Sequence, residues 1–167
     1  GRSVGRGIVI WGGAAVATLV GMVLAVPVIA SLLAPALPSQ WTASLGDEVA
    51  KRIERDRPVC EDSAGGAALQ GLLDRLLAGR DNDVRATLRV LDATSVNAVA
   101  VPGGHMRLFS GLVDAVDTPE ALAAGGAHEL AHVIQRHPSE AAIRQVGWRV
   151  VLAAAVGDAS AIPQIAG

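Results

Sequence analysis

The segment His128-Glu129-Leu130-Ala131-His132, inside AGGAHELAHVIQRHP, puts two imidazoles and a carboxylate within five residues. On an α-helix, residues four apart are separated by about 400°, so His128 and His132 project from one face and can both reach one metal ion. Glu129 lies about 100° round from His128, near enough to act on a water beside that ion without ligating it. These types at this spacing point to zinc-dependent hydrolysis. His128 and His132 are the expected metal ligands. Glu129 is the expected catalytic base, taking a proton from the attacking water and later passing it to a leaving amine. The competing reading is two histidines that merely share a helix face. Against it stand the flanks, where Leu122, Ala127, Val133 and Ile134 make the buried helix such a site needs.

The other candidate groups carry less. Nine residues past His128 on one helix, His137 is expected to point about 180° away, and Pro138 to end that helix. It reads as a turn residue, not a ligand. His105, after Gly103-Gly104, is expected to face solvent. Cys60 is the single cysteine, which excludes an intrachain disulfide, and nothing local activates it.

The elements that position the motif follow from local pattern. The motif helix opens with Thr118 as N-cap and Pro119 at the first helical position, and is expected to run to Pro138. Leu69, Leu72, Leu73, Leu76 and Leu77 repeat at helical spacing, with Gly79 as a stop. Asp47–Arg57 reads as a charged, exposed helix with Val49 and Ile53 on one face. Between them the period changes. VRATLRVLDA from Val84, SVNAVAVPGG with Val96, Ala98 and Ala100 on one face, and HMRLFSG predict two or three short strands around a Pro-Gly turn. The fold class is α+β.

Lys and Arg number 14 against 16 Asp and Glu, a formal charge of -2, so no basic excess points to nucleic acid. The core must be aliphatic, because 51% of residues are hydrophobic but only 2% aromatic. From Gly7 to Gly46 no charged residue or histidine occurs, and Ile8–Val26 is an apolar run closed by Pro27. As a helix that run spans about 28 Å, close to a bilayer's hydrocarbon thickness. Arg2, Arg6 and the small residues Ala34-Pro35-Ala36 also allow a cleaved signal peptide, but the run is longer than a usual signal core, which favours a retained anchor. Arg2 and Arg6 precede the run and Lys51 is the next basic residue, so the positive-inside bias places the N-terminus in the cytoplasm and the rest on the periplasmic side. SLLAPALPSQ reads as a linker. The expected organisation is a membrane anchor and linker over 1–38 and a metallopeptidase domain over 39–167; nothing in the sequence sets an oligomeric state.

With VNAVAVPGGHMRLFSGLVDAV followed by LAAGGAHELAHVIQRHP, the chain resembles the membrane-associated zinc metallopeptidases that include the HtpX, Oma and BepA types. The matching stretches are Asn97–Gly104, Gly111-Leu112-Val113, His128–His132 and Arg136-His137-Pro138. The resemblance implies a gluzincin fold with a small sheet beside the active-site helix, zinc as cofactor, and cleavage of misfolded or membrane-associated polypeptides. It also implies that an edge strand, Asn97–Val101 or the strand after it, pairs with extended substrate. Gly125 and Gly126 stand where that family has bulky apolar residues. Its third ligand, a Glu on a later helix, does not occur before Gly167. Asp158 is the better-placed substitute and Glu140 too near in chain, though Asp158 itself reads as a loop or cap. The chain starts at Gly1 and not Met, so both ends read as cut, the domain as C-terminally incomplete, and the 167-residue chain by itself as lacking measurable protease activity. An inactive relative that binds extended polypeptides without cleaving them is the alternative.

Overall fold

β1 (Thr87–Leu91), β2 (Ala98–Val101) and β3 (His105–Phe109) form a three-stranded sheet in the order β1-β3-β2. In this computed structural model, which describes residues 2–61, 63–79 and 84–157, β3 runs parallel to β1 and antiparallel to β2. The β2–β3 hairpin turns through Pro102–Gly104, a single 3-10 turn with Gly103 at φ 76° and Gly104 at φ 85°. Only glycine takes these angles without strain, and a Cβ at Gly104 would collide with the Arg85 carbonyl. The expected Pro-Gly turn is therefore a close approach as well as a bend.

As the central strand, β3 is covered on both faces, and its alternation sorts two kinds of chemistry. Met106 and Leu108 point into the main core with Leu73, Leu88 and Leu130. His105, Arg107 and Phe109 meet α2 (Ser39–Asp56) and the residue after it, through Asp47, Glu54 and Arg57. α2 is longer than the charged segment expected from Asp47 onward. Its start at Ser39, after Pro38, replaces part of the expected linker, because proline is well suited to a helix start.

α3 (Ser63–Leu77) supplies the fully buried Leu73, and Gly79 at φ 78° follows its end, as the leucine spacing predicts. α4 (Ser110–Asp114) is one short turn after β3. α5 (Pro119–Ile134) packs against β2 and β3, and α6 (His137–Val156) follows directly.

Two compact units result, one of Leu37–Ser139 and one of Gly1–Ala36 with Glu140–Gly167. In the second, α1 (Arg2–Leu33) continues through Pro27, which the sequence placed as its end. Proline removes one helical hydrogen bond and crowds the carbonyl four residues back, which weakens a helix without necessarily ending it, most readily where the surroundings are apolar. α1 is long and apolar enough to cross a membrane, and little of it is buried. Val26 packs where Gly147 of α6 leaves room for its methyls, and Val151 and Ala153 are buried in the same unit.

Candidate active site

The site is built on α5. Thr118, extended at φ −136° and ψ 148°, accepts a hydrogen bond from the Ala121 N–H at 3.2 Å, and Pro119 begins the helix, as expected. Leu130, 2% exposed, is the anchor that fixes its rotation. It lies two residues, about 200°, from both His128 and His132, so burying it against Leu73 and Leu108 turns both imidazoles together to the opposite face. Gly125 and Gly126 do not interrupt the helix. A Cβ at Gly126 would meet Leu76 at 3.8 Å, an ordinary contact, so neither a collision nor a positive φ demands glycine there.

His128 and His132 come together as the spacing predicts. Their Nε2 atoms lie 3.1 Å apart with the rings nearly perpendicular at 82°. That separation suits the nitrogen–nitrogen edge of a tetrahedral zinc site, about 3.3 Å at the usual Zn–N bond length. Glu129 is half-buried between them in sequence, and among the described residues it enters no ion pair.

His137 is where the sequence expectation fails. α5 stops at Ile134, not at Pro138, and Arg136 takes the left-handed conformation at φ 57°. The Gln135 and Arg136 N–H groups donate to Ala131 and Val133 carbonyls, closing the helix, and α6 starts at His137 with Pro138 in its first turn. The chain therefore turns after Ile134, and His137 is not carried to the far side. Its Nδ1 lies 2.7 Å from Nδ1 of His132. Pro138 lies in the first turn of α6 and not at the end of α5, since proline suits a first turn as readily as it marks an end.

His105 does not face solvent. Its side chain is 16% exposed, with Nε2 3.0 Å from Asp47 Oδ1 and Nδ1 3.2 Å from Thr87 Oγ1. Burial, helped by the Arg107 guanidinium, holds its imidazole below the ordinary value, although Asp47 and Glu54 pull the other way. Cys60 is exposed and its N–H donates to the Val90 carbonyl. A cavity of about 720 Å³ beside it lies between α3 and β1 and takes in Val113 and Leu122, but none of His128, Glu129 or His132. Glu140 pairs with Arg144 at 3.3 Å. Asp158 lies outside the described residues. Among the described residues no group of three His, Cys, Asp or Glu side chains converges on one ion position.

The profile of peptidase family M48 matches residues 67–163, more than half of the chain. The chain belongs to that family. It is 35% identical over 94 residues to a Vibrio cholerae protein named as a beta-barrel assembly-enhancing protease, covering 55% of this chain and 19% of that one. It is 38% identical over 81 residues to the Schizosaccharomyces pombe mitochondrial metalloendopeptidase OMA1, covering 47% of this chain and 24% of that one. The chain thus spans about a fifth to a quarter of the length of these relatives. M48 membership implies a metal cofactor. The two convergent imidazole nitrogens fit two positions of a zinc ion, a borderline metal suited to nitrogen donors.

Proposed function

We propose that this chain carries the catalytic helix of a membrane-anchored zinc endopeptidase, with His128 and His132 as ligands and Glu129 as general base. The observation that carries the reading is the 3.1 Å approach of the two Nε2 atoms in a chain of the M48 family. Zinc bound there would supply Lewis-acid polarisation of a scissile carbonyl and acidify the attacking water. Glu129 takes the proton of that water and delivers it to the departing amine. Its lack of a cationic partner among the described residues leaves the carboxylate available for this work.

Substrate enters as extended backbone along β2. Of the two strands expected for this role, β3 has neighbours on both sides and cannot accept another, whereas β2 is an edge strand and packs beside α5. An edge strand offers unpaired N–H and C=O groups to a passing peptide whatever its side chains, which suits unfolded or misfolded polypeptides as substrates. The relatives named for barrel assembly and for a mitochondrial location fit substrates at a membrane. The first 38 residues act as anchor and linker and residues from 39 onward as the peptidase domain, on the periplasmic side, because Arg2 and Arg6 precede the span and Lys51 is the next basic residue.

Metal analysis of the whole encoded protein tests the ligand assignment. Near-stoichiometric zinc that drops sharply in His132→Ala is expected, and equal zinc in both would overturn it. Exposed Cys60 reports the orientation. In intact cells a membrane-impermeant thiol reagent should label it, and labelling only after lysis would reverse the topology.

A further inference from the structure

We infer that His137 is a positioning residue for the metal site: its Nδ1 accepts the Nδ1 proton of His132 and thereby holds the His132 imidazole in the tautomer and orientation that present Nε2 to the ion. The inference rests on the assignment of His132 as a ligand.

A neutral imidazole has one N–H and one lone pair, on different nitrogens. His132 has a histidine at each of them, Nε2 of His128 at 3.1 Å and Nδ1 of His137 at 2.7 Å. At 2.7 Å two bare lone pairs repel, so one proton lies between the Nδ1 atoms. If His137 were the donor, the proton of His132 would sit on Nε2 and block it as a ligand. If His132 donates, its Nε2 lone pair is free, with Nε2 of His128 3.1 Å away. The second arrangement alone is compatible with metal binding. His137 then carries its own proton on Nε2. Ligating histidines commonly donate their second ring N–H to a carboxylate, a carbonyl or water, and here an imidazole fills that place.

The backbone is built for this contact. Had α5 continued past Ile134, His137 would have faced away. The turn that brings it back requires Arg136 at φ 57°, a conformation that costs a non-glycine residue free energy. The rings of His132 and His137 sit 5.0 Å apart, tilted at 55°, so they do not stack, and the contact between them is the nitrogen pair. His137 is exposed, so its side chain contributes little to packing and its identity is free to serve the hydrogen bond.

Zinc affinity of the whole encoded protein, measured by competition with a chromogenic chelator, tests the assignment in His137→Ala, His137→Asn and His132→Ala. Loss of the outer partner should weaken zinc by about 10- to 100-fold in His137→Ala. His137→Asn, whose Oδ1 can take the place of Nδ1 as acceptor, should recover most of that loss. The visible spectrum of the cobalt-substituted protein should shift in the alanine variant and return toward wild type in the asparagine variant. Melting temperatures of the metal-free forms should agree, as expected for an exposed side chain. Wild-type affinity in His137→Ala, with zinc lost in His132→Ala, would overturn the inference and leave the ligand assignment standing. Equal weakening in His137→Ala and His137→Asn would overturn it in favour of a packing role. Zinc retained in His132→Ala would remove the ligand assignment, and the inference with it.

Discussion

Two polar clusters in the Leu37–Ser139 unit satisfy their hydrogen bonds in opposite ways. Where β3 meets α2, cationic and imidazole nitrogens meet oxygen partners. Arg107, 3% exposed, donates from Nε and Nη2 to Glu54 at 2.9 and 2.7 Å and from Nη1 to the Met106 carbonyl at 2.9 Å. His105 lies between Asp47 and Thr87. At the end of α5, by contrast, His128, His132 and His137 meet nitrogen to nitrogen, and His128 and His137 are exposed. Buried charge needs a complementary partner to be tolerated, so the first cluster is what folding selects. Like groups meeting at the surface contribute little to folding. The first cluster holds the sheet to α2; the second is the one we propose serves a metal.

The sharpest contrast is in stability. Glu54→Ala would leave the Arg107 guanidinium buried and unpaired, and should destabilise the protein by about 3 kcal/mol, read as a lower denaturation midpoint at unchanged slope. His128→Ala should change the stability of the metal-free protein by no more than about 0.5 kcal/mol while removing zinc. If Glu54→Ala were neutral, or His128→Ala as costly, the division between the clusters would fail.

A smaller effect separates them by pH. The folded value of His105 lies below its ordinary 6.5 because burial and Arg107 disfavour the imidazolium. Its contribution to stability is therefore complete above about pH 6.5 and declines as the pH falls through the depressed folded value, since the unfolded chain takes up the proton first. Denaturation midpoints at about pH 7.5 and pH 5 should differ less in His105→Gln than in wild type. An unchanged difference would place the acid sensitivity elsewhere.

What was legible in the sequence is what local rules determine. Thr118-Pro119 specified the start of α5, Pro102-Gly103-Gly104 the hairpin turn, and the four-residue spacing the approach of His128 to His132. Peptide planes and side-chain periods fix these within a few residues. The missed features depend on partners distant in sequence or on strain. Glu54 reaches Arg107 across 53 residues, and no periodicity announces a charge pair of that span. His105 looked exposed because Asp47 and Thr87 come from other elements. The end of α5 was misplaced because its left-handed residue is Arg136, where sequence rules look for glycine or asparagine. That one misplacement concealed the position of His137.

The central claim, that α5 carries a zinc-dependent peptidase site with Glu129 as its base, is tested most directly by peptide hydrolysis in wild type and Glu129→Gln at matched zinc content. The substitution removes the proton acceptor and leaves both histidines in place. Hydrolysis by the whole encoded wild-type protein should be abolished by a chelator and restored by zinc, and Glu129→Gln in that protein should bind zinc equally while losing at least about 100-fold in rate. Zinc-matched Glu129→Gln that cleaves peptide at the wild-type rate would contradict the account.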